Sequence, residues 1–343
     1  MADQQTTIHM YVSFQDDDKI SIFTVNPTSG QLHWQEDVAI EGGPAPLAIS
    51  PDKSVLHVGR RASQQLSSYR IERSNGGLSH IGDVPLQGEP VYVATDRSGR
   101  FVLSAYYYQS TAAVHKVGND GAAIFPPVEW RYTSHGAHAI QTDASNRFAF
   151  VPHIANRGPN AIFQFKFDQA TGRLTANDPP RHSPQAYLGP RAFVFHPSLN
   201  AVYFSDEQGG SVTAYRMDTT RGTLTPFQTI STLPEGYNEP NTCSQIHITP
   251  SGKFLYAPNR GHNSVASFGV DAATGRLTAT GRVATEPVPR AFNVDPLGRF
   301  VYVAGLDSGR IASYRIDQGS GELIPLETYG GGNRPMWVLL TST

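Results

Sequence analysis

Short runs in which apolar and polar residues alternate recur along the whole chain, and turns rich in Gly, Pro, Asp and Ser separate them. A period of two predicts β-strands that bury one face. The chain contains 32 Gly and 25 Pro among its 343 residues, which fits many short strands joined by tight turns. The pattern therefore predicts an all-β protein.

The strand pattern is itself repeated. The segment PRAFVFHPSLNAVYFSDEQGGSVTAYRMDTTRGTLTP, which begins at Pro190, has close copies that begin at Ser244 and Pro289. Looser copies begin at Pro46, Val91 and His138. The turn residues after the first strand of each copy are spaced by 46, 47, 53, 53 and 46 residues: Pro51, Arg97, Ala144, Pro197, Pro250 and Pro296. A period of this length indicates a repeat architecture.

Each repeat contains four strand-like runs, which is typical of one blade of a β-propeller. Six complete repeats leave a fragment without a first strand, beginning at His9, and a lone first strand, RPMWVLLTS, at residues 334–342. Joined, the two fragments make a seventh blade. We therefore predict a single domain over residues 1–343, a seven-bladed β-propeller of four antiparallel strands per blade, whose ring is closed by pairing the two chain ends.

In such a blade, the start of the first strand and the end of the second strand lie at the same rim. Six residues before each turn anchor stand Ala45, Val91, His138, Arg191, Ser244 and Arg290. Ten residues after it stand Arg61, Tyr107, Ile154, Glu207, Arg260 and Leu306. Ionisable residues are concentrated in these two rows, so we expect a charged site at one mouth of the central channel.

The predicted site contains more positive than negative charge. We expect His138, Arg191, Glu207, Arg260 and Arg290 to converge, with Arg61, Tyr107 and His153 across from them. Buried charge is costly unless it is paired or used, and surplus arginine suits an anionic ligand. Arginine can hold a carboxylate or phosphate bidentately, and a histidine or glutamate beside it can move a proton.

These residue types suit the opening or closing of a lactone, in which an oxygen attacks or leaves an acyl carbon while a proton is transferred. The alternative is structural, because Arg–Glu pairs also join neighbouring blades. A second alternative is a non-catalytic propeller that presents its face to a protein partner. An ionisable cluster at a channel mouth, rather than exposed aromatic residues on the loops, argues against that last alternative.

Several other functions lack support in the sequence. The formal charge is −2 without a basic block, which disfavours nucleic acid and anionic membranes as partners. No stretch has the roughly 18 apolar residues of a membrane span. The motifs of serine hydrolases, nucleotide-binding loops and zinc peptidases are absent from the sequence. A mouth rich in arginine predicts no metal, since calcium-dependent propellers need converging oxygen ligands.

The compartment expected from the sequence is the cytoplasm. The first residues, MADQQTTIHMYVSF, have neither the basic flank nor the apolar stretch of a signal peptide. Cys243 is the only cysteine, so no intramolecular disulfide forms and a reducing compartment is compatible.

The chain resembles the seven-bladed propeller lactonase family of bacterial 6-phosphogluconolactonases and fungal 3-carboxy-cis,cis-muconate cyclases. The similar stretches include GAHAIQTD, GPRAFVFHP, SDEQGGSV, QIHITPSGKFLYAPNR, PRAFNVDPLGRFVYVAG and RPMWV. By resemblance, the residues proposed to act in that family fall on His138 in GAH, Arg191 in GPR, Glu207 in SDE and Arg260 in PNR. The earlier segments GRRASQQ and SAYYYQS do not match, which leaves the substrate more open than the reaction.

The resemblance implies a cytoplasmic lactonase without a cofactor. Its arginines would grip the substrate anion and polarise the carbonyl, and His138 or Glu207 would act as base toward water. A glutamate surrounded by arginines is a weak base, so we favour His138 as the proton carrier. The leading substrate is 6-phosphogluconolactone, of the pentose phosphate pathway. Another lactone or a carboxymuconate is the alternative, and we expect a monomer or a weak homo-oligomer.

Overall fold

The computed structural model describes residues 7–342 of the chain. Within these residues the strands form seven separate four-stranded antiparallel sheets. A 3₁₀ turn, Gln15–Asp17, connects two paired strands of one sheet. The seven-bladed propeller predicted from the sequence repeats is therefore confirmed. Over the same residues, no helix has the length and apolarity needed to cross a membrane.

The strands of each blade are named in order from the innermost to the outermost. Blade 1 consists of β28 (Pro335–Ser342), β1 (Ile8–Phe14), β2 (Lys19–Val25) and β3 (Leu32–Ala39). Blade 2 consists of β4 (Pro44–Ile49), β5 (Val55–Arg60), β6 (Gln65–Ile71) and β7 (Leu78–Pro85). Blade 3 consists of β8 (Pro90–Thr95), β9 (Phe101–Tyr106), β10 (Thr111–Lys116) and β11 (Glu129–Tyr132). Blade 4 consists of β12 (Gln141–Thr142), β13 (Phe148–His153), β14 (Ala161–Phe167) and β15 (Leu174–His182).

The remaining three blades follow the same order. Blade 5 consists of β16 (Pro190–Phe195), β17 (Ala201–Asp206), β18 (Ser211–Asp218) and β19 (Thr223–Ser231). Blade 6 consists of β20 (His247–Ile248), β21 (Phe254–Asn259), β22 (Ser264–Val270) and β23 (Leu277–Ala284). Blade 7 consists of β24 (Pro289–Val294), β25 (Phe300–Gly305), β26 (Arg310–Ile316) and β27 (Leu323–Gly330).

The ring closes through blade 1, which contains both ends of the described chain. Strand β28 pairs antiparallel with β1, in a register that places Ile8 opposite Ser342 and Phe14 opposite Pro335. Strand β28 also lies between β24 of blade 7 and β4 of blade 2. The two sequence fragments thus form one blade, and the pairing removes the free sheet edges that either fragment alone would expose.

The hydrophobic core lies between the faces of adjacent blades, as in the cluster of blade 5 and blade 6 residues around Tyr203 and Phe268. Tyrosines of the second strands fasten neighbouring blades together. Tyr203 Oη donates to the carbonyl of Gly275 at 2.8 Å, one blade further on. Gly275 has a φ of +71°, a left-handed conformation that favours glycine and explains the repeated TG turn. The same bond recurs from Tyr256 to Gly321, Tyr302 to Gly30 and Tyr11 to Gly76.

A β-bulge recurs at the start of the innermost strands. In blade 5, Pro190 pairs with Asp206 and Ala192 with Ser205, so Arg191 between them has no partner in the ladder. In blade 7, Arg290 is left out in the same way between Pro289 and Ala291. Register shifts also lie around Val91 in blade 3 and Met336 in blade 1. Because a bulge redirects a side chain, these positions share one orientation toward the channel.

Candidate active site

One end of the channel opens into a cavity of about 250 Å³, which we call the arginine mouth. Its lining includes Arg61, Tyr107, His138, Glu207, Arg260, Arg290 and Arg334. These residues come from different blades and lie either at the start of an innermost strand or just after a second strand. The shared rim expected from antiparallel pairing therefore exists, and it collects the charged residues.

Backbone geometry at GPR fixes Arg191. Gly189 has a φ of +71°, and a Cβ at this position would collide with the side chain of Gln208. The carbonyl of Gly189 accepts a hydrogen bond from the N–H of Glu207 at 2.7 Å. Glycine and the following proline thus bring the bulged Arg191 next to Glu207, the residue that follows the second strand. This explains locally why the two residues that interrupt the hydrophobic pattern meet.

Glu207 joins two arginines from neighbouring blades. Its Oε2 lies 2.8 Å from Arg191 Nε, and its Oε1 lies 3.2 Å from Arg260 Nη2. Arg260 also donates from Nη2 to the carbonyl of Cys243 at 3.0 Å. The side chain of Arg191 is only 5% exposed, and burial together with Arg260 lowers its pKa to about 10. Both oxygens of Glu207 are therefore engaged in holding guanidinium groups.

His138 lies at the mouth with its ring in a different situation. Its backbone N–H donates to the carbonyl of Pro152 at 3.0 Å, which anchors the residue at the edge of blade 4. Among the residues that the structure describes, no other residue hydrogen-bonds to either ring nitrogen; the ring meets Tyr107 edge-on at 6.0 Å. Burial first, and then the charges of Arg191, Arg290 and Arg260, lower the pKa of His138 well below 6.5. The imidazole is therefore neutral at neutral pH.

The other arginines differ in how they are neutralised. Arg61 forms an ion pair with Glu89, which lies in the connection between blades 2 and 3. Arg290 has no carboxylate within 4.0 Å in the described part of the chain. Burial and the nearby Arg191, Arg260 and Arg61 lower the pKa of Arg290 well below its usual value. A buried guanidinium among other cations is stabilised by an anion, so Arg290 marks where one would bind.

Below the mouth, the channel narrows into a cavity of about 20 Å³, which we call the deep cavity. Arg61, His138 and Arg290 line both spaces, whereas Arg191 faces the deep cavity. The aromatic rings of Tyr92 and Trp337, 5.4 Å apart, narrow the channel there. A space of this size holds about one water molecule. A ligand larger than water is therefore confined to the arginine mouth.

Seven of the eight residues predicted from the sequence line these two cavities: His138, Arg191, Glu207, Arg260, Arg290, Arg61 and Tyr107. The exception is His153, whose placement across the mouth does not fit the structure. Its Nδ1 contacts the carbonyl of Val151 at 3.0 Å, its Nε2 contacts Thr133 Oγ1 at 2.9 Å, and its ring packs on Phe163. His153 ends strand β13, and its side chain points into the blade because successive residues of a strand face opposite ways.

The lining residues that the sequence reasoning missed include Arg334 and Tyr108 at the mouth, and Gln245 in the deep cavity. A signal for Arg334 exists, because it precedes the proline of RPMW just as other site residues flank the first proline of an innermost strand. Tyr108 follows Tyr107 in the segment SAYYYQS, which the resemblance does not cover. Gln245 carries no sequence signal, since its Oε1 accepts a backbone bond from Phe292 as an ordinary structural amide would.

Comparisons with known proteins agree with this geometry. The family described as "Lactonase, 7-bladed beta-propeller" matches residues 10–340. A 6-phosphogluconolactonase of Pectobacterium carotovorum is 34% identical over 328 residues, which cover 92% of this chain and 97% of the relative. A 6-phosphogluconolactonase of Erwinia tasmaniensis is 32% identical over 330 residues, covering 93% and 98% of the two chains.

A solved structure extends the comparison to three dimensions. The periplasmic gluconolactonase PpgL of Pseudomonas aeruginosa superposes with a TM-score of 0.90 at 25% identity, over 97% of this chain and 99% of that one. The family match, the two relatives and this structure each cover nearly the full chain, and they confirm the resemblance seen in the sequence. The chain belongs to the seven-bladed beta-propeller lactonase family.

Proposed function

We propose that this protein hydrolyses an anionic sugar lactone, with 6-phosphogluconolactone as the first candidate. The observation that carries the proposal is the His138 imidazole, without a hydrogen bond to another described residue, facing a cavity ringed by arginines. Burial and the charges of those arginines lower the pKa of His138, which favours the neutral ring. A neutral imidazole can accept a proton from water, and guanidinium groups can stabilise the oxyanion that forms. Membership of the lactonase family supports the same chemistry.

In the proposed reaction His138 is the base. It accepts a proton from water as the water oxygen bonds to the lactone carbonyl carbon, and the carbonyl electron pair moves to its oxygen. Collapse of this oxyanion breaks the bond from that carbon to the ring oxygen. The imidazolium returns its proton to the departing ring oxygen, so the product is the open hydroxy acid and His138 is regenerated.

Arg191 and Arg260 are the candidates for stabilising the oxyanion, because they come from the next two blades and their charges lie close enough to His138 to lower its pKa. Glu207 is assigned a positioning role, since each of its oxygens faces one of these two guanidinium groups. Held in place before the substrate arrives, the arginines need little reorganisation as negative charge develops on the carbonyl oxygen. With Glu207 engaged in this way, we assign the role of base to His138.

The charge at the site favours an anionic substrate. Five arginines, Arg61, Arg191, Arg260, Arg290 and Arg334, face three carboxylates, Glu89, Glu207 and Asp16, which leaves an excess of two positive charges. A phosphate monoester or a carboxylate would offset that excess. Unphosphorylated gluconolactone is the second candidate, because the similar structure from Pseudomonas aeruginosa is that of a gluconolactonase.

The test is the rate of proton release from freshly prepared lactones, corrected for spontaneous opening. Purified protein is assayed in EDTA with 6-phosphogluconolactone, gluconolactone and a carboxylated muconolactone, because the proposed chemistry uses side chains alone. We expect the fastest turnover with the phosphorylated lactone. Turnover of another lactone alone would keep the chemistry and discard this substrate. No turnover of any of the three would overturn the proposal and favour a binding role.

Three further expectations accompany this proposal. We propose that the protein acts in the cytoplasm, with export as the alternative suggested by the periplasmic relative, and cell fractionation distinguishes the two. We also propose that residues 1–343 form one domain, for which calorimetry should give a single unfolding transition. A monomer or weak homo-oligomer is expected, and sedimentation over a range of concentrations tests it.

A further inference from the structure

The residues of the arginine mouth divide between two groups of blades. Blades 4, 5 and 6 contribute His138, Glu207 and Arg260, and Arg191 of blade 5 faces the deep cavity below them; these four are the groups assigned to the reaction. Blades 7, 1 and 2 contribute Arg290, Arg334 and Arg61, which we call the cationic half. The cationic half contains no histidine or glutamate that lines the mouth. One half therefore has groups for proton transfer, and the other half has only positive charge.

Arg334 is the solvent-exposed member of the cationic half, and its charge is only weakly neutralised. Its Nη1 lies 3.9 Å from Asp16 Oδ2, and both side chains are 49% exposed. An exposed ion pair at this distance contributes little. Arg290, the inner member, has no carboxylate within 4.0 Å among residues 7–342. Two of the three guanidinium groups are therefore available to an incoming anion.

The backbone of Arg334 is nevertheless well fixed. Asp17 accepts hydrogen bonds from the backbone and side-chain nitrogens of Asn333, each at 2.7 Å. The carbonyl of Arg334 accepts a bond from the N–H of Gln15 at 3.1 Å. These bonds join the turn at the end of β1 to the loop that precedes β28. The rim of blade 1 thus presents Arg334 from a defined position, while its side chain makes only the long, exposed pair with Asp16.

The sizes of the two cavities decide where a charged substituent can go. The deep cavity has room for about one water, so a phosphate cannot enter it. If the lactone carbonyl lies beside His138, Arg191 and Arg260, a charged group at the other end of the substrate remains in the mouth. The groups left to receive it belong to the cationic half.

We propose that Arg61, Arg290 and Arg334 form a subsite for the remote anionic group of the substrate, and that Arg334 determines the preference for phosphorylated over neutral lactones. This inference rests on the proposed lactonase activity for its kinetic consequence, but not for its binding consequence. Arg290 also faces His138, so changing it would alter the chemistry. Arg334 lies outside the reacting half and is the residue whose replacement separates recognition from reaction.

The experiment is the variant Arg334→Gln, which removes the charge and keeps a side chain able to occupy the same left-handed backbone position, φ +56°. We expect KM for 6-phosphogluconolactone to rise about five- to tenfold with kcat nearly unchanged, as for loss of one solvent-accessible charged hydrogen bond. The kinetic constants for gluconolactone should change by less than about twofold. Arg334→Lys should recover part of the loss. The matched control is Arg310→Gln, which removes an exposed arginine of blade 7 that does not line the mouth.

A binding measurement separates failure of this inference from failure of the proposed function. The dissociation constant of 6-phosphogluconate, measured calorimetrically, should rise about five- to tenfold in Arg334→Gln and stay unchanged in Arg310→Gln. Equal binding by wild type and Arg334→Gln would overturn the subsite even if lactones are hydrolysed. An equal kinetic loss with both lactones would overturn it as well. Weaker binding in the variant would support the subsite even if none of the three lactones is turned over.

Discussion

The two ends of the channel both carry charged side chains, but the partners of those side chains differ. At the arginine mouth, Arg290 and the ring of His138 face open space. At the opposite end, which we call the aspartate mouth, Asp96, Arg97 and Asp295 line a depression of about 440 Å³. Asp96 Oδ1 accepts from the N–H of Phe101 at 2.9 Å, and its Oδ2 accepts from Asn146 Nδ2 at 2.7 Å. Arg97 donates to the carbonyls of Thr142 and Asp143.

Charged residues of this propeller can bind a ligand only where the fold does not use their hydrogen-bonding groups. Five of the six residues just before the turn anchors accept the N–H that starts the next strand, as Asp295 does from Phe300 at 2.6 Å and Ser50 from Val55 at 2.9 Å. His196 is the exception. Their hydrogen-bonding capacity is used by the fold. At the arginine mouth the turns are closed by backbone bonds, such as that from Glu207 N–H to the carbonyl of Gly189. The side chains at the arginine mouth therefore remain available to a ligand. The aspartate mouth stabilises the fold, and the arginine mouth can carry out a reaction.

The sharpest test replaces the histidine that lies at the arginine mouth. We expect His138→Gln to lower kcat/KM about 10²- to 10⁴-fold on the best lactone, because it removes the group that accepts the proton from water. The free energy of unfolding should change by less than about 1 kcal/mol, since no other described residue bonds to the ring. Proton-release kinetics and urea unfolding measure the two quantities. Retained activity would move the role of base to Glu207.

The control for His138→Gln is His196→Gln, at the opposite end of the propeller from the arginine mouth. Nδ1 of His196 accepts from the N–H groups of Ser198 and Leu199 at 3.1 and 2.9 Å, and its Nε2 contacts the carbonyl of Gly252. Loss of these bonds should reduce stability while kcat/KM stays at the wild-type value. If both histidine variants lost activity equally, the distinction between the mouths would fail.

The next largest effect is expected from Asp96→Ala at the aspartate mouth. The carboxylate is fully buried, and its removal leaves the N–H groups of Ser98 and Phe101 and the amide of Asn146 without their acceptor. We expect the free energy of unfolding to fall by about 3 kcal/mol, with kcat/KM of the folded protein unchanged. Asp96→Asn, which keeps one acceptor, should lose less. A catalytic defect in the folded fraction would contradict the assignment.

The charges at the arginine mouth predict how kcat/KM depends on pH. Burial and three arginines hold the pKa of His138 well below 6.5, so the base stays unprotonated and kcat/KM should be flat from neutral pH down past 6.5. Activity should fall only at lower pH, as the imidazole gains its proton. Arg290→Gln removes one of the charges that lower this pKa, and the acid limb of kcat/KM should then move to higher pH. An unmoved limb would mean that another group is the base.

Much of the fold was predictable because each blade repeats one pattern. Of the twelve positions selected by counting from the turn anchors, ten line the arginine mouth or the deep cavity. Ser244 and Ile154 are the exceptions, and both are buried. In their blades the innermost strand is reduced to β20 and β12, and isolated bridges at Cys243 and Ala137 replace the bulge. Both counted positions line the channel in blades 2, 3, 5 and 7, whereas blades 4 and 6 contribute one each, His138 and Arg260.

What the sequence did not reveal depends on contacts between segments that are distant in the chain. Arg334 escaped the count because blade 1 is split between the chain ends and its turn anchor has no repeat to align with. The partnership of Arg61 with Glu89 depends on the path of a connecting loop, for which alternation gives no rule. The prediction for His153 was off by one residue. Ile154, and not His153, stands ten residues after the turn anchor, and neighbouring residues of a strand face opposite ways.

The smallest expected effect tests whether the two mouths are independent. Lys53 lies at the aspartate mouth, and its Nζ donates to the carbonyl and Oγ of Ser342 at 2.9 and 2.8 Å, joining the first turn of blade 2 to β28. Lys53→Gln removes an exposed charge, so the free energy of unfolding should fall by about 0.5 kcal/mol. Because β28 runs through the ring to Met336 at the arginine mouth, a change in KM would show that this strand couples the two ends. We expect no change in KM, since six other innermost strands hold the channel walls. The bond from Lys53 to Ser342 also lies at the far end of β28 from Arg334. An unchanged KM beside a small loss of stability would leave the aspartate mouth with a purely structural role.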